Sequence, residues 1–521
     1  MKRVPTRWWR ALGLGMLTGA ALVCAAPPFG LYPLAFVAFV PLLRAADGGG
    51  CATAGLVGWA AGMVFYLGVA DWLPPTIARL QGISGAAAWC VFAVFAAAHA
   101  LQFGFASAAT AWLGGTVGRP RRGWAGTATV TASLWVLLDW SFPKVFPWSV
   151  GNLLGPDPRL RQGAALGGVY GLALLVMLVN ALLAEGARGR RPPLQRMRAI
   201  GAAVGLVALA WACGTWCALP PGSPADRAGV RIAILQGGMP SADGDVRAGA
   251  ERALATYAAL SRGAAPAADL LVWPENALRV YLRDNDVFAT RLAALAADTR
   301  RPLLLGALDR TVSGAGERNA AYLFTPTAVT RRAAVYHKAA LLPFGEYVPG
   351  AAWWSGLRRW RTTGDFVAGA PPVPLDVDLG TAPVRLAPSI CFEAIRGGAF
   401  NRLVRRGAAL LVNLTDDGWF ASEKAAAQHL ELTRLRAVET GRWLVRASNS
   451  GISAFVDPAG RIVATLPLGA VGALVRRVDA VHVITPYVRW GDWVVPLCAL
   501  LAGIGLVRRT NAEPQMNTDE H

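Results

Sequence analysis

Long apolar segments follow one another through the first part of this chain, and they limit the folds open to it. They cover residues 11–26, 31–45, 52–70, 85–113, 123–140, 165–184 and 200–219, and one more covers 493–507. A helix crosses a bilayer with about 20 apolar residues, so the pattern predicts a polytopic α-helical membrane domain of about eight spans. Composition agrees, because 54% of the 521 residues are hydrophobic and only 16% are charged. An ordinary soluble protein is less apolar.

The N-terminal residues, MKRVPTRWWR, are basic and precede an apolar stretch that ends in small residues at Ala25 and Ala26. A secretory signal peptide has the same layout. Further apolar segments follow at once, however. We therefore predict that this stretch is retained as the first membrane helix.

Basic residues are distributed unevenly among the short loops. Under the eight-span count, one side carries Lys2, Arg3, Arg7, Arg10, Arg44, Arg119, Arg121, Arg122, Arg188, Arg190, Arg191, Arg196, Arg198, Arg508 and Arg509. The other side carries Arg79, Lys144, Arg159 and Arg161. Because basic loops tend to stay in the cytoplasm, we predict cytoplasmic termini and an exported segment between the seventh and eighth spans. The net charge of +19 comes without a recognition motif, so we expect no nucleic acid partner.

From about Asp226 to Asp479 the chain changes character. Charged residues return, and short β-type runs alternate with Ala-rich helical runs, which predicts helices packed on a sheet. Strands are expected in VRIAILQGG, DLLVWPE, RPLLLGAL, NAAYLFT, AAVYHK, VRLAPSIC, ALLVNLT, RWLVRAS and GISAFVD. Helices are expected in DVRAGAERALATYAALSRG, FATRLAALAADTRR and SEKAAAQHLELTRLRAVETGR.

Three residues with useful chemistry each come at the end of a β-type run. They are Glu275 in LLVWPENAL, Lys338 in VYHKAALLPFGEYVP and Cys391 in APSICFEA. Strand ends commonly hold catalytic groups in a cleft. Brought together, the carboxylate would remove the thiol proton, the thiolate would attack a carbonyl, and the ammonium would stabilise the oxyanion. Taken singly, each has a structural alternative, either a buried cysteine or a solvated surface charge.

Several longer motifs surround these residues in a fixed order, namely WPE, KxxLLPFGEYVP, ICFE, NLTDDGWF and RAVETGRWLVRASNSG. Over nearly the whole chain they resemble the nitrilase or carbon–nitrogen hydrolase superfamily, and within it the membrane-bound branch, the apolipoprotein N-acyltransferases. Motifs in series are far more specific than any one of them. The resemblance implies an αββα sandwich and a Glu275–Lys338–Cys391 triad.

The resemblance also implies a reaction and a location. An acyl chain would pass from a membrane phospholipid, through a cysteine thioester, to the N-terminal α-amine of diacylglyceryl-cysteine in an apolipoprotein. We expect a monomer in the bacterial inner membrane that needs no cofactor. The expected division is residues 1–222 as a membrane domain of seven spans, 226–480 as a nitrilase-like catalytic domain facing the periplasm, 490–510 as a C-terminal transmembrane helix and 511–521 as a cytoplasmic tail.

Other motif residues are candidates for supporting roles. By resemblance, Glu346 is a second active-site carboxylate that supports Lys338, although it could be a loop charge. Glu393 could orient Lys338 or cap the helix that follows it. Trp419 and Phe420 resemble the family's mobile aromatic loop over the acyl pocket, and an exposed aromatic pair could equally contact the membrane.

The chain departs from the family's pattern at three places. Phe392 stands where a tyrosine is common, so the hydroxyl group at that position is absent or supplied elsewhere. The segment after Pro240 lacks an expected tryptophan. The sequence Asp416-Asp417-Gly418 replaces Asn-Asp-Ala. These departures leave the triad intact and concern the shape of the lipid pocket.

Polar and aromatic residues in the apolar region carry open alternatives. The run SFPKVFPWSVGNLLG, which contains Trp148, is either an interfacial aromatic belt or a re-entrant wall of a lipid-entry cleft. His99 and Asp139 lie inside predicted spans, as functional groups or in paired structural roles. Arg442 and Arg446, in the α/β segment, are expected to form structural ion pairs.

Cysteine and histidine usage indicates neither a disulfide framework nor a metal site. Of 7 cysteines, Cys391 alone falls in the α/β segment, and the 5 histidines show no metal-binding spacing. Two alternatives to acyl transfer remain open at this point. One is a membrane-tethered nitrilase-type amidohydrolase that uses water as acceptor, and the other is a non-catalytic membrane scaffold.

Overall fold

The computed structural model forms two compact units. It describes residues 6–46, 50–115, 123–189, 191–217, 229–239, 245–311, 314, 316–327, 334–351, 353–354, 356, 366–379 and 383–510. Unit 1 comprises Met1–Pro74, Ala86–Ala218 and Asp492–His521, and unit 2 comprises Pro75–Gly85 and Leu219–Gly491. The position after Pro240, where a tryptophan was expected, lies outside the described residues.

Helices make up most of unit 1 and part of unit 2. The α-helices are α1 Thr6–Ala25, α2 Val40–Ala45, α3 Cys51–Val69, α4 Leu73–Gln81, α5 Gly85–Gly115, α6 Trp124–Ser141, α7 Ala164–Gly186, α8 Pro193–Cys217, α9 Val246–Ala264, α10 Asp286–Thr299, α11 Ala399–Arg405, α12 Glu423–Thr440, α13 Pro486–Trp490 and α14 Val494–Thr510.

Among the described residues of unit 1, five segments are long and apolar enough to cross a membrane. They are Trp8–Ala25, Cys51–Val69, Gly85–Trp112, Leu160–Gly186 and Pro193–Trp216. Tyr32–Ala45 and Val494–Gly505 are shorter apolar helical segments. The polytopic helical fold is therefore confirmed, and the count of eight spans stays a prediction.

The predicted second span is not one continuous helix. A 3₁₀ turn over Tyr32–Phe36 precedes α2, and each of these two short elements has a proline in its first turn, where the missing N–H does no harm. Asn180 of α7 bridges the break, since its Nδ2 donates to the Ala35 carbonyl at 2.7 Å and its Oδ1 accepts the Phe39 N–H at 2.9 Å. The backbone groups released by the break are thus satisfied inside the unit.

The aromatic segment after α6 is irregular and is held by a buried ion pair. Lys144 Nζ lies 2.6 Å from Asp139 Oδ1, and both side chains are buried. The same ammonium donates to the Trp148 carbonyl at 2.9 Å, and Gln102 Nε2 donates to Asp139 Oδ1 at 3.0 Å. Asp139 therefore has the paired structural role that was one of its two predicted alternatives.

His99 and Trp148 also have partners within unit 1. The Val145 N–H donates to His99 Nε2 at 3.1 Å, while His99 Nδ1 lies 2.8 Å from the Phe95 carbonyl. The Trp148 ring is half-buried, with its centroid 4.5 Å from that of Phe65. Whether this segment borders a lipid-entry cleft stays a prediction.

Unit 2 contains two sheets. Its strands are β1 Val230–Gln236, β2 Leu270–Val272, β3 Leu278–Tyr281, β4 Leu303–Arg310, β5 Glu317–Phe324, β6 Ala334–His337, β7 Leu375–Asp378, β8 Pro383–Ile390, β9 Leu410–Thr415, β10 Leu444–Ser448, β11 Ser453–Val456, β12 Ile462–Leu466 and β13 Gly472–Val478. The first sheet has the order β13-β1-β2-β4-β5-β6, with β3 paired to β4. The second has the order β12-β11-β10-β9-β8-β7.

Three buried clusters show how the layers pack. The inner cluster takes side chains from both sheets, such as Ile234 and Leu304 from the first and Leu386 and Val412 from the second. The outer cluster on the first sheet includes α9 and α10, and that on the second includes α11 and α12. The order helix, sheet, sheet, helix confirms the αββα sandwich.

Candidate active site

Three strand ends deliver the residues of the predicted triad. Cys391 directly follows β8, Lys338 directly follows β6, and Glu275 follows β2 after Trp273 and Pro274. β2 is fully buried, β8 is buried over its last five residues, and β6 is half-buried with Tyr336 in the core, so each strand fixes the residue at its end to the rigid sandwich. The structure brings the three side chains together in one site within unit 2.

The backbone at Cys391 is held in an uncommon conformation. Its φ is 50°, in the left-handed region, and a 3₁₀ turn over Cys391–Ile395 begins there. A non-glycine residue in that region costs about 1–3 kcal/mol and persists only where the surroundings impose it. Asn413 of β9 contributes by donating from Nδ2 to the Cys391 carbonyl at 3.4 Å. The partly buried thiol thus lies at the transition from strand to turn.

Glu275 is buried and is held by three groups. Its Oε1 accepts a hydrogen bond from Asn319 Nδ2 at 2.6 Å, and its Oε2 accepts the Asp416 N–H at 3.0 Å. Lys338 Nζ lies 3.5 Å from Oε1. The Cys391 thiol is also a hydrogen-bond partner of this carboxylate. A base and a nucleophile in contact are the first requirement of cysteine-based acyl transfer.

The loop that carries Glu275 packs against the backbone of β4 at Gly306. A Cβ atom at Gly306 would lie 2.6 Å from both the Glu275 Cα and the Pro274 carbonyl oxygen. Any other residue there would push the loop away. Gly306 is therefore required for the position of Glu275.

The ammonium of Lys338 is bound by two carboxylates. Its Nζ lies 2.8 Å from Glu346 Oε1 and 3.5 Å from Glu275 Oε1. Glu346 is fixed in turn, because its Oε2 accepts the Leu342 N–H at 2.8 Å. Glu346 thus contacts Lys338 inside the site and is not a free loop charge.

Burial and these charges shift the pKa values of the three groups. Burial raises the pKa of Glu275, against the opposing effect of Lys338. Burial alone would lower the pKa of Lys338, but the charges of Glu346 and Glu275 outweigh it and raise the pKa well above its ordinary value. Burial and the Glu275 charge raise the pKa of the Cys391 thiol. The resting site therefore holds a protonated thiol, a charged ammonium and a carboxylate of increased basicity.

Glu393 organises the backbone beside the site. Its Oε1 accepts the N–H groups of Ala339 and Ala340 at 2.7 and 2.9 Å, and its Oε2 accepts the Tyr336 hydroxyl and the Ile390 N–H at 2.8 Å each. The carboxylate thereby joins the chain after Lys338 to the turn at the nucleophile. Glu393 lies within the 3₁₀ turn Cys391–Ile395 and does not cap the next helix, α11, which in the described part of the chain has Gly398 at its N-cap and no side-chain cap, so that alternative is wrong. A role of Glu393 in orienting Lys338 stays a prediction.

Phe392 and the aromatic pair have different surroundings. Phe392 is buried, with the Arg396 guanidinium 5.9 Å from its ring centroid. Trp419 and Phe420 are half-buried at the end of a short 3₁₀ turn, Asp417–Trp419. The Trp419 carbonyl accepts a hydrogen bond from Arg79, and the Phe420 carbonyl accepts one from Thr76 Oγ1 at 3.0 Å. A lid function for this turn stays a prediction.

The two buried arginines expected to form ion pairs differ. Arg446 Nη2 lies 2.7 Å from Asp417 Oδ2, and both residues are fully buried. For Arg442 the prediction is wrong within the described part of the chain, where its guanidinium donates to backbone carbonyls, including those of Ala408 and Thr440 at 3.2 and 3.0 Å. The Arg442 guanidinium therefore satisfies backbone carbonyl groups and is not paired with a carboxylate among the described residues.

Sequence reasoning missed three residues that hold the site, namely Asn319, Asn413 and the backbone N–H of Asp416. Asn319 and Asn413 both lie within predicted strands, and a polar residue in an otherwise apolar buried strand was the signal available. No comparable signal exists for a backbone N–H. Among the described residues, no group of three or more His, Cys, Asp or Glu could hold a metal ion.

Comparisons with known proteins identify the family. The family of carbon–nitrogen hydrolases matches residues 231–485, and the apolipoprotein N-acyltransferase N-terminal domain matches residues 18–182. The apolipoprotein N-acyltransferase of Gloeobacter violaceus is 34% identical over 94% of this chain and 92% of its own length. That of Azotobacter vinelandii is 31% identical over 98% and 97% of the two chains, and that of Geobacter metallireducens 31% over 94% of each. The chain therefore belongs to the apolipoprotein N-acyltransferase family.

Proposed function

We propose that this protein transfers an acyl chain from a membrane phospholipid to the α-amine of the diacylglyceryl-modified N-terminal cysteine of an apolipoprotein. The observation that carries the proposal is the convergence of Glu275, Lys338 and Cys391 in one buried site. Membership of the family supports the acceptor, and the membrane-spanning helices of unit 1 support a lipid donor.

The first half-reaction begins with a protonated thiol, because burial and the Glu275 charge raise the pKa of Cys391. Glu275 takes the thiol proton as the sulfur attacks an ester carbonyl of the phospholipid. The carbonyl oxygen becomes an oxyanion, which the Lys338 ammonium and the backbone N–H after Cys391 stabilise. The ester C–O bond then breaks, and the leaving alkoxide takes the proton from Glu275. The products are a Cys391 thioester and a lysophospholipid.

In the second half-reaction the free α-amine of the acceptor attacks the thioester. Glu275 accepts a proton from the amine, and the C–S bond breaks to release the N-acylated product. The sulfur then recovers its proton from Glu275. Water has to stay out while the thioester waits, and the half-buried Trp419 and Phe420 would contribute to this.

The permanent charge of Lys338 suits the oxyanion role. Glu346 and Glu275 raise the pKa of Lys338, so the group stays an ammonium and does not compete for the thiol proton. Glu346 contributes to the raised pKa of Lys338 without taking part in the Glu275–Cys391 contact itself. The base can thus remain available for proton transfer.

The reaction fits a monomer in the bacterial inner membrane with its catalytic unit in the periplasm. The clustering of arginine in loops assigned to one side supports this orientation. No nucleic acid partner or cofactor enters the scheme.

Reconstitution tests the proposed function. Purified protein in liposomes would receive a phospholipid with a labelled acyl chain and a peptide that begins with diacylglyceryl-cysteine. We expect the label in an amide at the peptide N-terminus, and none with Cys391→Ala. Labelled free fatty acid with no labelled peptide would instead indicate a hydrolase. Full transfer by Cys391→Ala would contradict the mechanism.

A further inference from the structure

The carboxylate of Asp416 is buried beside Glu275 and lies outside the scheme above. Asp416 is 1% exposed and directly follows β9. Its backbone N–H donates to Glu275 Oε2 at 3.0 Å. Asp416 is therefore in direct contact with the proposed base, Glu275. A change in the charge of the Asp416 side chain would affect Glu275 at short range.

The Asp416 side chain contacts the aromatic turn, β3 and the residue after β10, Asn449, whose Nδ2 donates to Asp416 Oδ2 at 3.5 Å. Its Oδ1 accepts the Gly418 N–H at 3.1 Å and so caps the 3₁₀ turn that carries Trp419. Its Oδ2 lies 3.5 Å from Arg279 Nη2, on β3. The Arg279 guanidinium lies 5.4 Å from the Trp419 ring centroid. Asp416 and Arg279 thus fix the aromatic turn from opposite ends.

We propose that Asp416 is a positioning residue for Glu275. Asp416 acts through its ion pair with Arg279, and the ionisation of Asp416 gives the site a pH dependence of its own. The inference rests on the proposed role of Glu275 as the base. When Asp416 is ionised, the pair with Arg279 forms, the aromatic turn is held, and the Asp416 N–H stays on the Glu275 carboxylate. When it is protonated, the attraction to Arg279 is lost.

Burial and the charge of Glu275 raise the pKa of Asp416 to about 7, against the effect of Arg279. The change of charge thus falls near neutral pH. Interaction between like charges is reciprocal, so ionised Asp416 also makes Glu275 more basic. The ionisation of Asp416 therefore both holds Glu275 in position and makes Glu275 more basic. Both effects should favour removal of the Cys391 thiol proton. The charged or titratable groups that face Asp416 are Glu275, Arg279, Asp417 and Tyr257.

The variant Asp416→Asn tests this. An amide keeps an oxygen for the Gly418 N–H but cannot ionise and does not pair with Arg279. The measurement is the rate of Cys391 alkylation by iodoacetamide in the full-length detergent-purified protein, read by peptide mass spectrometry, which separates Cys391 from the other cysteines. Alkylation needs neither phospholipid nor acceptor, so this result stands apart from the test of the proposed function.

The wild-type alkylation rate is divided by the Asp416→Asn rate at each pH. The intrinsic pH dependence of the thiol is common to both proteins and cancels in this ratio. We expect this ratio to rise about tenfold between roughly pH 6 and pH 8, the size of one pKa unit. A ratio that is constant across this range would overturn the proposal. Asp457→Asn is the matched control, because Asp457 is also buried, caps a turn and pairs with an arginine, Arg461 at 2.5 Å. Its ratio should stay constant.

The partner gives a second, independent arm. Arg279 is one-third exposed, so Arg279→Gln should fold. Arg279 lowers the pKa of Asp416, so in this variant Asp416 ionises only at higher pH. We expect the ratio of the wild-type rate to the Arg279→Gln rate to rise in the same direction and by less than for Asp416→Asn. The double variant Arg279→Gln/Asp416→Asn should match Asp416→Asn alone, since Arg279 acts through the ionised Asp416. Effects that multiply in the double variant would show that the residues act separately and would overturn the proposal.

Discussion

The Lys338 ammonium donates a hydrogen bond to Glu346 Oε1 at 2.8 Å, and both residues are buried. In Glu346→Gln the shape is kept and the charge is removed. Lys338 would then turn toward Glu275 and make that carboxylate a weaker base. We expect Cys391 acylation to slow about 10²-fold, the usual effect of losing one electrostatic contributor.

The measurement is single-turnover acylation with labelled phospholipid. Glu251→Gln serves as the control, because it removes an exposed ion pair with Arg291 and should leave the rate unchanged. An unchanged rate in Glu346→Gln would show that Glu346 only supports the fold.

Glu275→Gln removes the proposed base while keeping its size. The new amide oxygen would still accept the Asp416 N–H, and its NH2 group would face Asn319, whose buried Oδ1 has no hydrogen-bond partner among the described residues and can accept once the Asn319 amide turns. The geometry should therefore survive. Thioester formation should slow by about 10²–10⁴-fold, as loss of a general base usually does. The same single-turnover assay measures it. If acylation keeps its wild-type rate, the base has to be sought at Glu346 or Glu393.

Asp417 and Arg446 form a fully buried ion pair, and His429 Nδ1 lies 2.8 Å from the same carboxylate. Asp417→Asn would leave Arg446 buried without its counter-charge, so the free energy of unfolding should fall by about 3–5 kcal/mol. Thermal unfolding in detergent measures this. Asp376→Asn is the control, since its pair with Arg385 is exposed and should contribute less than about 1 kcal/mol.

The stability difference between wild type and Asp417→Asn should also depend on pH. Burial alone would raise the pKa of Asp417, but Arg446 and His429 hold it well below its ordinary value. A carboxyl group with a lowered folded pKa contributes its full stability above its unfolded pKa of about 4 and loses it as the pH falls further. The difference should be constant near neutrality and narrow in acid. A difference that widens in acid would contradict this assignment.

Local sequence patterns were sufficient to predict the strands that end at the active site. They were not sufficient to predict the strands at the edges of the two sheets. All nine predicted strands and the three predicted helices of the α/β segment form, because their apolar residues follow the pattern of a buried strand or of one helix face. The predictions missed β3, β7, β12 and β13, whose burial alternates or is low, since pairing with neighbouring strands rather than composition creates them. The predictions also missed the short helix α4, which supplies Thr76 and Arg79 to the aromatic turn.

The site itself was predictable as a set of residues but not as a geometry. Glu275, Lys338 and Cys391 each end a recognisable strand. The contacts that orient them come from far along the chain, as in Asn319, which is 44 residues from Glu275. The ion pair between Asp416 and Arg279 likewise joins residues that no local pattern connects.

The membrane orientation makes a separate prediction. A reporter fused after His521 should behave as cytoplasmic, and one placed near Gly222 should behave as exported, because the arginine clusters at 119–122 and 188–198 resist export. Alkaline phosphatase activity and green fluorescence in intact cells distinguish the two sides. An exported signal at His521 or a cytoplasmic one near Gly222 would place the catalytic unit on the wrong side for the proposed acceptor.

In the proposed reaction Cys391 carries the acyl chain as a thioester. Purified protein incubated with labelled phospholipid and no acceptor should accumulate an acyl group on the Cys391 peptide, as seen by mass spectrometry. Hydroxylamine should release it, since it is a thioester, and addition of a diacylglyceryl-cysteine peptide should discharge it. An acyl group on another residue, or transfer to the peptide with no acylated Cys391 at any time, would contradict this role of Cys391.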